Sequence, residues 1–232
     1  MAFDFRAKAR AGLKQTWDRL FIAGSMITAF TQGYMLGRYI VGLDDSAGAQ
    51  WFGVVSGLCV MAAYALIGAA WLIIKTENEL QQKSIRWARY SLPAMGIGLL
   101  AVSLVNPLVS ERIFNKWFSF PQVMWLLPLP VLTALMMLQI HRSLTRLRTQ
   151  PTTRNFVPFV CTACVYLLAF TGLAYSFYPY VVPDEMTVWQ AASHPDSLKV
   201  IFIGTVLVLP MIIGYTILSY YIFRGKAADL VY

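Results

Sequence analysis

The sequence predicts an all-α, polytopic integral membrane protein with about six transmembrane helices. Two observations carry that reading. Hydrophobic residues make up 58% of the 232 positions and charged residues only 13%, well below the roughly one-quarter charge of a soluble domain. Apolar stretches long enough to cross a hydrocarbon core of about 30 Å, which takes about 20 helical residues, recur between clusters of charge.

These stretches run from Leu20 to Leu43, Trp51 to Ile74, Trp87 to Val109, Phe118 to Ile140, Phe156 to Val182 and Val200 to Phe223. They fill the chain 1–232 as a single transmembrane domain, with no soluble domain, low-complexity linker or internal repeat. The segment from Met1 to Arg19 is polar and basic, unlike a cleavable secretory signal.

The formal charge of +8 would suggest nucleic acid as a partner in a soluble protein. Here the placement of the charges points to topology and to no nucleic acid. Fifteen of the nineteen basic residues fall in alternate segments: Arg6 to Arg19, Lys75 to Arg89, Arg142 to Arg154, and Arg224 with Lys226. The positive-inside rule assigns those segments, and with them both termini, to the cytoplasm. The intervening loops carry Asp44 and Asp45, then Glu111, Arg112 and Lys116, then Asp184, Glu185, Asp196 and Lys199. The longest outer segment, Tyr178 to Lys199, is rich in Pro and aromatic residues and is expected to form an ordered cap at the interface.

Pro93, Pro107, Pro128, Pro130, Pro158 and Pro210 fall within or beside the spans, where neighbouring helices must satisfy any carbonyl they free. Gly33 with Gly37, Gly53 with Gly57, and Gly68 with Ala65 have the spacing that lets helix backbones approach closely.

Little redox or catalytic chemistry is visible. A haem held in the membrane needs axial ligands at bilayer depth, and the two histidines, His141 and His194, lie at or beyond span ends. Cys161 and Cys164 have a C-x-x-C spacing without a second pair to complete a zinc site, so helix packing is the favoured reading. The methionines read as core filler. No phosphate-binding glycine loop or catalytic triad is present. Gln32 sits centrally in the first span, with Arg38 near its outer end and Glu77 and Glu79 beyond the second. Scarcity of intramembrane acids argues against a proton-coupled carrier, leaving a small-molecule transporter as the weaker alternative.

Several strings are more specific. The stretch from Tyr64 to Leu80 resembles a signature of subunit II of the cytochrome bd-type ubiquinol oxidases. In the same order follow further resemblances: Met1 to Lys8, Trp17-Asp18, Ala29 to Gly33, Trp117 to Pro121, Trp125 to Pro130, Tyr178 to Pro183, Thr187 to Trp189, Leu209-Pro210, Gly214 to Thr216 and Ser219 to Lys226. The last segments look most like the cyanide-insensitive branch. The resemblance implies a fold of nine membrane helices in the family, of which this chain is expected to correspond to helices four to nine, N-terminally truncated relative to the family.

The resemblance implies a haem-free, non-catalytic subunit of a respiratory quinol:oxygen oxidoreductase in the bacterial cytoplasmic membrane. The b-type and d-type haems and the quinol site would lie in the partner, subunit I, with which this chain would form a heterodimer among membrane lipids. This chain would itself bind no metal, while a structural quinone or lipid remains open. Asp4 matches the acidic residue of a short motif linked to proton uptake. A simple ion pair with Arg6 or Lys8 is the alternative. Trp189 is expected to anchor the outer segment or the subunit contact. An inactive truncated membrane scaffold is the alternative reading of the whole chain.

Overall fold

The computed structural model describes residue 6 and residues 11–149, 155–223 and 225–226. Five long helices dominate: α1 (Ala11–Ile40), α2 (Ala47–Lys75), α3 (Asn78–Val109), then, after two short helices α4 (Glu111–Phe118) and α5 (Gln122–Leu126), α6 (Pro128–Thr149) and α7 (Val157–Phe177). A two-stranded hairpin follows, β1 (Tyr180–Val182) and β2 (Met186–Thr187), then the short α8 (Val188–Ala191) and a sixth long helix, α9 (Pro195–Ile222).

Local chemistry sets these boundaries. Helix α1 closes with Gly42 at φ +72° and Leu43 at φ 61°. The Gly42 amide donates to Tyr39 O and the Leu43 amide to Arg38 O, the paired bonds of a left-handed helix stop that Gly accommodates without strain. Ser46 caps α2, its hydroxyl accepting from the Ala49 amide at 3.3 Å, which satisfies one orphan donor of the first turn. The buried Gln81 side chain donates to Ile73 O at 3.0 Å and so ties the start of α3 to the end of α2.

Helices α2, α3, α6 and α7 share one core of Leu66, Ile73, Ile85, Leu92, Met95, Ile140, Leu144, Leu147 and Val165 among others. Helix α1 lies on the far side of α2. The glycine pairs flagged by their spacing meet here: a Cβ built on Gly33 would lie 2.7 Å from Val60 Cβ and 2.8 Å from Gly57 Cα, and one on Gly37 would lie 2.9 Å from Gly53 Cα. Only hydrogen at these positions lets the two backbones touch. A Cβ built on Gly68 would meet no other side chain or helix within 4 Å among the described residues.

Several predicted boundaries are corrected. Five helical stretches are long and apolar enough to span a membrane: Ala47–Lys75, Asn78–Val109, Gln122–Thr149, Val157–Phe177 and Pro195–Ile222. The predicted first span, Leu20 to Leu43, lies in a helix of 30 residues but is not among the five. Ser25, Thr28, Thr31 and Gln32 with four glycines dilute its apolar character. The span predicted from Trp87 starts at Asn78 instead, and the one predicted to end at Ile140 continues to Thr149. In both extensions one face stays buried, through Gln81, Ser84 and Ile85 and through Ser143, Leu144 and Leu147. The predicted span to Val182 stops at Phe177, before Pro179, and its last residues form β1. The predicted span from Val200 begins at Pro195, a position suited to Pro because its missing N–H would be unpaired there anyway.

Helix α9 differs from the rest. None of its 28 residues is buried. Its interactions with the bundle among the described residues gather at its last turns. The Tyr220 ring meets the Trp71 ring edge-on at 5.5 Å. Lys75 Nζ donates to Phe223 O at 2.6 Å and to Gly225 O at 3.0 Å, placing a cation at the negative end of the helix dipole. Just beyond, Lys226 pairs with Glu77 at 2.5 Å.

Candidate functional site

Two groupings of polar side chains stand out, one capping the hairpin end of the bundle and one between helices. The cap is built on α4. Arg112 and Lys116 are four residues apart on that helix, hence on one face, and both address the C-terminal turn of α7. Lys116 Nζ donates to Tyr175 O at 2.6 Å and Tyr178 O at 2.7 Å, carbonyls that the end of a helix leaves without intrahelical partners. Arg112 Nη1 donates to Ser176 O at 3.4 Å, and Arg112 Nε pairs with Asp184 Oδ1 at 2.8 Å.

Asp184 occupies the hairpin turn with φ 58°, a backbone geometry that Asp tolerates better than most residues. Its second oxygen accepts from the Ser110 hydroxyl at 3.2 Å. Aromatic faces complete the cradle. The Arg112 guanidinium lies 4.5 Å from the Tyr180 ring centre and Lys116 Nζ lies 4.3 Å from that of Tyr175, within range for cation–π attraction. Trp117 Nε1 donates to Ser176 Oγ at 2.8 Å. Tyr39, from α1, donates its hydroxyl to Val181 O at 2.5 Å. Beneath the cap, Ile40, Ile113 and Phe177 form a second buried cluster.

Burial, and to a lesser extent the neighbouring Arg112 charge, hold the Lys116 ammonium below its ordinary pKa of 10.5. The folded chain therefore releases this proton before the unfolded chain does, so Lys116 makes stability rise with pH between its folded value and 10.5. Thermal melting in detergent is expected to shift upward over that window, and a Lys116→Met variant to lose the shift.

Trp189 sits in α8, held by a reciprocal cap in which the Gln190 amide donates to Thr187 Oγ1 at 3.4 Å and the Thr187 amide to Gln190 Oε1 at 2.9 Å. Its ring is 66% exposed and meets Tyr178 edge-on at 6.0 Å. Asp4 lies outside the described residues. Arg6, considered as its ion partner, pairs with Asp18 at 2.5 Å. Arg38 donates to Leu43 O at 3.0 Å and to Asp45 at 2.7 Å, bridging the turn between α1 and α2. The sequence reading placed Arg112, Lys116 and Asp184 on the outer side only as loop charges. The four-residue spacing of the two cations was the available signal.

Between helices, the Tyr64 hydroxyl donates to Gln32 Oε1 at 2.9 Å, and the Tyr64 ring stacks on Tyr166 at 6.3 Å. The Tyr166 hydroxyl is buried with no hydrogen-bond partner among the described residues. His141, in α6, and His194, at the start of α9, lie at opposite ends of the bundle, and His194 Nδ1 accepts from the Asp196 amide at 3.4 Å. Cys161 and Cys164 are free thiols on α7. Among the described residues no three His, Cys, Asp or Glu side chains gather as a metal site.

A sequence model of the family described as cytochrome bd terminal oxidase subunit II matches residues 1–223. The chain belongs to the cytochrome bd terminal oxidase subunit II family. Among its relatives, the cytochrome bd ubiquinol oxidase subunit 2 of Bacillus subtilis (strain 168) is 22% identical over 245 residues, covering 98% of this chain and 69% of the relative. The cytochrome bd-I ubiquinol oxidase subunit 2 of Escherichia coli (strain K12) is 22% identical over 268 residues, covering 97% of this chain and 70% of the relative.

Proposed function

We propose that this chain is the haem-free subunit II of a bd-type quinol oxidase, packed in a bacterial cytoplasmic membrane against a haem-bearing subunit I. The complex would oxidise quinol and reduce oxygen to water on cofactors held by the partner. Family membership supports this reading, and one structural observation carries it: α9 is an apolar helix of 28 residues with none buried, more lipid- or partner-facing surface than a self-sufficient bundle leaves. The alternation of basic segments supports an orientation with the Lys75 end, and both termini, in the cytoplasm.

Purification of tagged chain from its own membrane in mild detergent, followed by an absorption spectrum and identification of each polypeptide, tests the reading. Haem b and d bands arriving with a larger partner are expected. A haem-free chain that still captures a partner would instead mark an inactive scaffold, and a chain without partner or haem would overturn the assignment.

Two residue roles belong to this reading. Asp4 collects or relays protons at the cytoplasmic face, so Asp4→Asn should slow oxygen consumption and proton uptake together by severalfold in the assembled oxidase. Unchanged rates would leave Asp4 a simple surface charge. Trp189 anchors the outer segment against Tyr178 and the subunit contact, so Trp189→Ala should lower the yield of assembled complex. A normal yield would remove that role.

A further inference from the structure

The last turns of α9 and the end of α2 enclose an open cleft of about 790 Å3 lined by Trp71, Lys75, Tyr215, Thr216, Ser219 and Lys226 among others. Its chemistry is graded along the helix. At the mouth are two ammonium groups. Lys75 spends two of its three N–H donors on Phe223 O and Gly225 O and Lys226 spends one on Glu77, so each retains donor capacity. One turn deeper are the hydroxyls of Thr216 and Ser219, which make no hydrogen bond among the described residues. The rings of Trp71, Tyr215 and Tyr220 form the walls, and beyond them α9 presents the exposed Met211, Ile212, Val208 and Leu209.

We propose that this cleft is a binding site for an anionic phospholipid, its phosphate between Lys75 and Lys226. Its glycerol esters lie beside Thr216 and Ser219, and its acyl chains run along the apolar face of α9. The distance from Phe223 to Thr216 is about 10 Å at the helical rise of 1.5 Å per residue, enough for headgroup and ester region. A basic pocket between helices on the cytoplasmic side has the charge that anionic headgroups favour. Aromatic walls suit the same depth, because Trp and Tyr settle at the membrane interface. A free phosphate ion would use the lysines but none of the hydroxyls, rings or apolar wall below. The site rests on the membrane reading of the chain and not on oxidase activity. The lipid would fill the space beside a helix that the bundle holds only at its last turns.

The test uses the complex as purified, reconstituted in nanodiscs, with photoactivatable phosphatidylglycerol or phosphatidylcholine carrying a diazirine on an acyl chain. Phosphatidylglycerol is expected to label the peptides containing Trp71 and Tyr215 to Phe223 severalfold more than phosphatidylcholine does. Excess inorganic phosphate should leave that labelling unchanged. Lys226→Gln keeps the Lys75 bonds to the end of α9 and should reduce the preference severalfold, and Lys75→Gln with Lys226→Gln should abolish it. Equal labelling by the two lipids, or a preference unchanged in both variants, would overturn the site, as would a cross-link from this cleft to another polypeptide. Haem bands in the same sample report on the oxidase reading separately.

Discussion

Gly33→Val should unseat α1 from α2. The first carbon of any side chain at Gly33 would lie 2.8 Å from Gly57 Cα and 2.8 Å from Ser56 O. Both are backbone atoms that no rotamer change can move, so the helices must separate. Overpacking of this kind costs about 1–3 kcal/mol, and the rigid neighbours place this site at the upper end. Separation would also break the Tyr64 to Gln32 hydrogen bond, which joins the same two helices. Denaturation by graded sodium dodecyl sulfate, followed by tryptophan fluorescence, should show an earlier transition. Gly68→Ala is the matched control. Among the described residues no neighbouring helix lies within 4 Å of the added methyl, and Ala is favoured over Gly in a helix by up to about 1 kcal/mol, so its transition should hold or move later.

The second large effect is expected at Leu144, which is fully buried in the cluster shared by α2, α3, α6 and α7. Its truncation to Ala opens a cavity that the crossed helices cannot close. Leu→Ala changes in soluble cores cost about 2–5 kcal/mol. Leu144 lies in the extension of α6 past the predicted span end, toward water, so its transfer term survives as well as its packing term. Leu209→Ala on α9 provides the contrast. That side chain is 51% exposed, and in the lone chain its surroundings would be lipid tails as apolar as itself, so the lone chain should tolerate the change. Similar transitions for the two variants would mean that the four-helix core contributes no more than the outlying helix.

The sequence made the membrane crossings legible because bilayer thickness imposes a length that a count of apolar residues can meet. The same criterion does not give the ends of α3 and α6. It measures hydrocarbon and not helix, whereas α3, at 32 residues, is about 48 Å long by its rise and overshoots the membrane. Past the edge, Arg86, Arg142 and Arg146 read as loop although Ile85 and Leu147, next to Arg86 and Arg146 in sequence, are buried. The glycine seam between α1 and α2 was legible as spacing, but which glycines meet was not, since Gly68 faces no neighbouring helix among the described residues. The cap was hidden for another reason. Arg112 and Asp184 are 72 residues apart in sequence, with α6 and α7 between them, and only the fold brings them with Lys116 to the end of α7.

The unequal apolar character of α1 and α9 bears on how the chain enters the bilayer during synthesis. A translocating segment leaves the translocon sideways when its summed transfer free energy favours lipid, and polar positions near the helix centre weigh most against exit. Helix α9 satisfies that requirement alone, which suits a segment with so little contact to the rest of the bundle. Helix α1 carries Thr28, Thr31 and Gln32 at its centre and gains its hold by setting Gly33 and Gly37 against Gly53 and Gly57. Its retention in the membrane is therefore expected to depend on the emergence of α2, with the glycine seam serving as an insertion partner before it is a packing contact.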